Sequence, residues 1–180
     1  MKLDEIKLRD ATGARVKFSR DEMLDLALFV HDKNHTRRRY KDRNKALDKA
    51  LASFSETSPD LWRGVYPEEE NQLVVGKVFS PMGYLSMTEN RKIAEKFAHR
   101  TKKIMHSKGI TAFPYWKFNI EHIQLPLKKK DEKAFELNDG QYMIDSLKEE
   151  AEWIVGHDAK FKVVSESRDG DLTIYEVEQL

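Results

Sequence analysis

The sequence predicts a single-domain α+β fold, with a helical layer over residues 1–58 and a mainly antiparallel β region over 59–180. Three observations lead there. Before Pro59, apolar residues recur at helical spacing. After it, they gather in short runs bounded by turn residues. One helix-like stripe near Ile93 interrupts those runs.

In the helical part, Ser19 and Glu22 have the spacing of a capping box, and Phe18 and Met23 are placed as its hydrophobic staple. Leu24, Ala27, Leu28, Phe29 and Val30 follow as a broad stripe. Leu47, Ala50, Leu51 and Phe54 mark a second helix. In the β part, Leu61–Tyr66, Val74–Phe79 and Gly83–Met87 read as strands. Thr88 reads as the N-cap of a helix carrying Ile93, Ala94, Phe97, Ala98 and Thr101 on one side. Ala112–Ile120 is strand-like and aromatic, whereas residues 121–149 show no regular pattern, as a functional loop would. Trp153–Val155 turns at Gly156-His157-Asp158 into Lys160–Val164, and Asp169-Gly170 closes a hairpin before Leu172–Val177.

Composition excludes several classes of protein. The chain has 180 residues, 39% of them apolar and 35% charged, enough apolar side chains for a packed core beneath a highly charged surface. Lys and Arg number 32 against 31 Asp and Glu, a formal charge of +1 that argues against a polybasic nucleic-acid or membrane binder. The absence of cysteine removes disulfides, thiolate nucleophiles and Cys-ligated metals. The opening Met1–Glu5 has no apolar leader core, and nothing approaches the ~20 apolar residues of a membrane span, so a cytoplasmic location is expected. No phosphate-cradling G-x-x-x-x-G-K-[ST], dinucleotide G-x-G-x-x-G or G-x-S-x-G elbow is present. His31 and His35 stand four apart and could share a helix face, but they lack an intervening glutamate and an obvious third ligand, so no metal is expected. Arg37-Arg38-Arg39-Tyr40 offers a basic, stackable patch that could meet RNA-associated partners.

Three features carry chemistry. Arg63, between Trp62 and Gly64, presents a planar fork suited to phosphate or carboxylate, although taken alone it reads as a strand arginine in a salt bridge. Gly64 lets a ligand come close to the backbone. Strand alternation puts Tyr84, Ser86 and Thr88 on one face, where the two hydroxyls could brace Arg63 or a carboxylate. In extended chain, Glu150 and Glu152 point to the same face about 6.7 Å apart, and such a pair calls for a cationic or hydroxyl-rich partner. A solvated edge is the alternative for the two acids.

In this order, the aromatic-Arg-Gly element at Leu61–Gly64, Leu85-Ser86-Met87-Thr88 with its following helix, and Glu150-Ala151-Glu152-Trp153 resemble the R-S-E class of mono-ADP-ribosyltransferases. The chain also resembles the small bacteriophage Mod enzymes that modify host proteins, and the resemblance spans Leu61 to Leu180. Met87 and Thr88 stand where the family has Thr-Ser, and the Gly156-His157-Asp158 turn lacks the family's frequent proline. The resemblance implies an ADP-ribosyltransferase-like core of two packed, mainly antiparallel sheets, with NAD as co-substrate and arginine side chains of host bacterial proteins as acceptors. It implies that Glu152 holds the ribose and Glu150 the acceptor. Arg63 would grip the pyrophosphate, Gly64 would read the nicotinamide amide, and Ser86, aided by Thr88, would steady the acid or the arginine. Phe97 or Tyr84 would stack on nicotinamide, and Asn138–Glu149 would select the acceptor protein. The rival expectation is an inactive member of the fold that binds a protein or RNA partner.

Overall fold

Asp169-Gly170, the strongest turn signal in the sequence, closes the longest ladder among the described residues. The structure, a computed structural model, describes residues 7–8, 18–29, 40–124 and 147–180. The helices are α1 (Arg20–Leu28), α2 (Lys45–Phe54), α3 (Arg91–Phe97) and α4 (Tyr115–His122). The first strands are β1 (Lys7–Leu8), β2 (Glu56–Thr57), β3 (Leu61–Gly64), β4 (Val78–Phe79) and β5 (Leu85–Thr88). They are followed by β6 (Lys103–Ser107), β7 (Thr111–Ala112), β8 (Ile123–Gln124), β9 (Glu152–Val155), β10 (Phe161–Asp169) and β11 (Leu172–Gln179).

The expected two sheets are present as two leaves. One runs β4-β10-β11-β6-β3, antiparallel except where β11 lies parallel to β6. The other is β5 against β9, extended through a Phe113–Ile154 bridge toward β7 and β2. A single residue pair, Trp62 with Thr88, joins the leaves. Between them lies the main core, with Leu61, Met87, Met105, Trp153, Phe161 and Val163. A second core, around Leu26, Phe29, Leu47, Phe113 and Phe118, packs α1, α2 and α4 against the outer side of the β5–β9 leaf. Ala94, Ala98, Ile104 and Ile174 seat α3 on the outside of the other leaf.

Local chemistry explains most boundaries. Ser19 accepts from Glu22 N at 3.1 Å while the Glu22 carboxylate accepts from Ser19 N at 3.2 Å, so the capping box forms as expected. Phe18 and Met23 join one apolar cluster. Asn44 caps α2 through Leu47 N at 2.9 Å. The side chains of Leu24, Ala27 and Leu28, and Val30 itself, lie outside the described residues, as do His31, His35, Arg37–Arg39 and residues 125–146 of the unassigned loop.

Several expectations change. Of the expected Ala112–Ile120 strand only Ala112 and the bridged Phe113 are extended: Pro114 has no N–H to give a ladder, and its carbonyl instead accepts from Phe118 N at 3.0 Å as α4 begins. Val74–Phe79 shrinks to Val78–Phe79, because Val74 and Val75 lie exposed ahead of a turn through Gly76. Leu61–Tyr66 stops at Gly64 and gives way to a 3₁₀ segment, Pro67–Gln72, that propensity did not announce. Helix α3 is capped by Asn90, not Thr88, and ends at Phe97, which leaves Thr101 outside it. β6, absent from the sequence reading, is the central strand between β3 and β11.

Candidate active site

A cavity of about 630 Å³ opens beside the seam between the leaves. Past the Trp62–Thr88 pair, β3 and β5 share no further ladder pairs, and Arg63, Gly64 and Ser86 line the space beside them. Glu150, Glu152, Tyr84, Thr88 and Phe97 line it too. The tertiary structure therefore gathers these eight candidate residues, from Arg63 to Glu152, around one cavity of the size small-molecule ligands use.

Glu152 opens β9 and is 6% exposed. Its Oε1 accepts from the Ser86 hydroxyl at 2.9 Å and from the Tyr40 phenol at 2.9 Å. Oε2 makes no hydrogen bond among the described residues and is left open to the cavity. Burial pushes the Glu152 carboxyl up to about 7, against the two hydroxyl bonds, which favour its ionised form. At neutral pH this acid stands near its own midpoint, the condition under which a carboxyl can act in either protonation state.

Arg63 takes up both readings that the sequence left open. Its Nε and Nη2 donate to the two oxygens of Glu69 at 3.1 and 2.6 Å, a bidentate salt bridge with both side chains largely buried. Its Nη1 donates to the Ser86 carbonyl at 2.8 Å. Ser86 thus touches both poles, through its carbonyl to Arg63 and its hydroxyl to Glu152. Burial alone would weaken the guanidinium's charge, but Glu69, together with Tyr66 and Tyr40, holds the arginine above its ordinary value. Two of the five guanidinium N–H groups make no hydrogen bond among the described residues.

Other roles shift. Gly64 lines the cavity and is also required by α3: an added Cβ would stand 2.3 Å from Ala94 O and 2.7 Å from Phe97 Cβ. The Thr88 hydroxyl is spent on the Glu150 carbonyl and Asn90 N, so it fastens the turn that carries Glu150. Glu150 and Glu152 are not neighbours along one strand. Residues 147–150 are helical and Ala151 has φ +41°, so the chain reverses between the two acids. Both still line the cavity, and burial, with Glu149 adding to it, raises the Glu150 carboxyl. The Tyr84 phenol is committed to Asp48, Asn44 N and Asn44 O, and burial raises it to about 12. Phe97 lines the cavity, is 47% exposed, and meets the Tyr66 ring edge to face at 6.4 Å between centroids. Tyr40, read from sequence as part of a basic patch, instead points inward at Glu152. Tyr40 and Glu69 are the site residues that sequence reasoning missed; Pro67 before three glutamates was the available sign of a short helix near the site.

Among the described residues, no helix is long and apolar enough to cross a membrane, and no three His, Asp or Glu residues are grouped to hold a metal.

No protein-family model matches the chain, and no curated protein matches it by sequence. Solved structures do. Exoenzyme S from Pseudomonas aeruginosa, determined with human 14-3-3 protein beta and bound to carba-NAD, aligns with a TM-score of 0.56 at 15% identity over 89% of this chain and 74% of the other. The type III effector XopAI from Xanthomonas axonopodis pv. citri aligns with a TM-score of 0.51 at 10% identity, over 91% of this chain and 68% of that one. ADP-ribosyltransferase Vis from Vibrio splendidus aligns with a TM-score of 0.49 at 14% identity, over 89% and 67%. At such identities the likeness speaks to architecture alone: the chain shares the α+β fold of exoenzyme S and XopAI, with two mainly antiparallel sheets.

Proposed function

We propose that the protein is a mono-ADP-ribosyltransferase of the R-S-E class, similar to the bacteriophage Mod enzymes. It would transfer ADP-ribose from NAD to arginine side chains of host bacterial proteins and release nicotinamide. The observation that carries this reading is Glu152: a buried carboxyl held at Oε1 by two hydroxyls, open at Oε2, in the same cavity as Arg63.

NAD supplies the ADP-ribosyl group, and loss of its nicotinamide leaves positive charge on the ribose, as in glycoside hydrolysis. A carboxylate at that point favours the charged transition state over the neutral ground state. Glu152 takes that role, with Oε2 accepting from a ribose hydroxyl. Arg63 offers its two remaining N–H groups to the pyrophosphate, and Phe97 offers its face to the nicotinamide ring. Glu150 orients the acceptor guanidinium and takes its proton, which leaves that nitrogen free to bond the ribose carbon. Residues 1–180 act as one catalytic domain in this reading, because Tyr40 of the N-terminal part meets Glu152 of the C-terminal part.

The rival, a binding protein built on the same fold, draws support from Glu69, which already occupies much of the Arg63 fork. Labelled NAD mixed with the protein and a bacterial extract separates the two. The proposed enzyme puts label on proteins, and mass spectrometry finds it on arginine. A binder leaves every protein unlabelled and releases no nicotinamide. Glu150→Gln is expected to abolish labelling while slow nicotinamide release persists; loss of both together removes Glu150 from the acceptor role.

A further inference from the structure

Tyr40 belongs to a helical turn ahead of α2, 112 residues from Glu152, yet its phenol donates to Glu152 Oε1 at 2.9 Å. Its placement is over-determined by other contacts. The Tyr40 carbonyl accepts from Tyr84 N at 2.6 Å, one residue before β5. Its ring meets Phe29 edge to face, with centroids 5.1 Å apart. Gly83, at φ +147°, makes the approach possible, since a Cβ there would lie 2.1 Å from the Tyr40 carbonyl oxygen. A phenol fixed in this way loses little further freedom when it binds a carboxylate.

We propose that Tyr40 is a positioning residue for Glu152: with Ser86 it pins Oε1, turns Oε2 toward the cavity, and makes the N-terminal segment part of the site. Its catalytic consequence rests on the proposed function; its physical core, the coupling of Tyr40 to Glu152, does not. The groups facing Glu152 are Tyr40 from the N-terminal segment, Ser86 from β5, Arg63 from β3 and Glu150 from the turn before β9. Arg63 is matched by Glu69, so the hydroxyls are what favours the ionised carboxyl at hydrogen-bond distance. Burial and Glu152 itself raise the Tyr40 phenol well above its ordinary value, so it stays a donor across the working range.

The test is an NMR titration of Glu152 in the ligand-free protein carrying ¹³C-labelled glutamate, with Glu152→Gln assigning the signal. In Tyr40→Phe the midpoint should rise by about one unit, the scale of one hydrogen bond to a charged group. The rate of nicotinamide release should then fall about fivefold at pH 7 and recover toward pH 9, with the KM for NAD nearly unchanged. Replacing Tyr40 with 3,5-difluorotyrosine, a better donor of nearly the same shape, should move the midpoint down and serves if Tyr40→Phe folds poorly. A residue that only packs the N-terminal segment would lower the rate equally at every pH. An unmoved midpoint in the folded variants overturns the inference. A moved midpoint in a protein that neither transfers nor hydrolyses NAD upholds the coupling and refutes the proposed function instead.

Discussion

At the Arg63 end of the cleft a largely buried cation is matched by Glu69 at 2.6 Å, whereas at the Glu152 end a buried carboxyl meets only hydroxyls. The first arrangement is self-sufficient. Opposite charges in bidentate contact offset much of their desolvation, and the guanidinium gains a fixed plane from Glu69 and the Ser86 carbonyl. The second is unfinished. Among the described residues no cation is ion-paired with Glu152 and Arg63 acts on it only at longer range, so burial lifts its carboxyl to about 7, and the fold carries an acid it would be more stable without above that pH. A carboxylate held without a countercharge is what a cation-like transition state can use. The arginine end is internally matched; the acid end is the one that the proposed function uses as its reactive pole.

Substitutions can break or sharpen that contrast. The largest effect is expected at the matched end. Arg63→Ala would leave Glu69 charged and largely enclosed, and should destabilise the fold by about 3–5 kcal/mol in chemical denaturation. A loss below about 1 kcal/mol, the scale of an exposed pair, would show that the salt bridge is not structural. At the unmatched end the sign reverses. The folded Glu152 carboxyl binds its proton more tightly than the ordinary 4.5, so its burial is harmless below that pH and destabilises progressively as pH rises through about 7. Glu152→Gln should therefore be close to neutral at pH 4 and more stable than the parent at pH 9, by roughly 3 kcal/mol at most. The same variant should lower ADP-ribosyl transfer by about 10²–10³-fold while NAD still binds. Near-parental transfer, or a stability difference that ignores pH, would remove Glu152 from the reactive role.

Two smaller effects test the supports. Gly64→Ala should cost about 1–3 kcal/mol through displacement of α3, and its melting temperature should fall whether or not NAD is present. A variant with the parental melting temperature but weakened NAD binding would restore the ligand-approach role expected from sequence. Thr88→Val removes the hydroxyl that fastens the Glu150 turn and should cost about 1 kcal/mol. It should reduce transfer to protein more than NAD hydrolysis, because Glu150 is displaced and Glu152 is not.

Much of the molecule was legible in advance. The capping box at Ser19, the α2 stripe, the β5 and β9 runs and the Asp169-Gly170 hairpin are local patterns whose energetics lie within a few residues. Sequence reasoning failed where a distant partner decides. Lys103–Ser107 is a strand because β3 and β11 flank it, and the expected strand Ala112–Ile120 turns helical after Pro114 despite its aromatic content. Arg63, Ser86, Glu150 and Glu152 could be nominated because chemistry restricts which side chains perform it.

The sequence by itself determined the element types with strong local signals and the short roll of chemically apt residues, since capping, turn geometry and side-chain chemistry act at close range. Only the tertiary structure decided which charges are matched. The pairing of Arg63 with Glu69, the reversal at Ala151 and the reach of Tyr40 to Glu152 all depend on how the strands splay beyond Trp62 and Thr88. Electrostatic energies depend on distance and burial, which arise only when segments far apart in the chain are packed together.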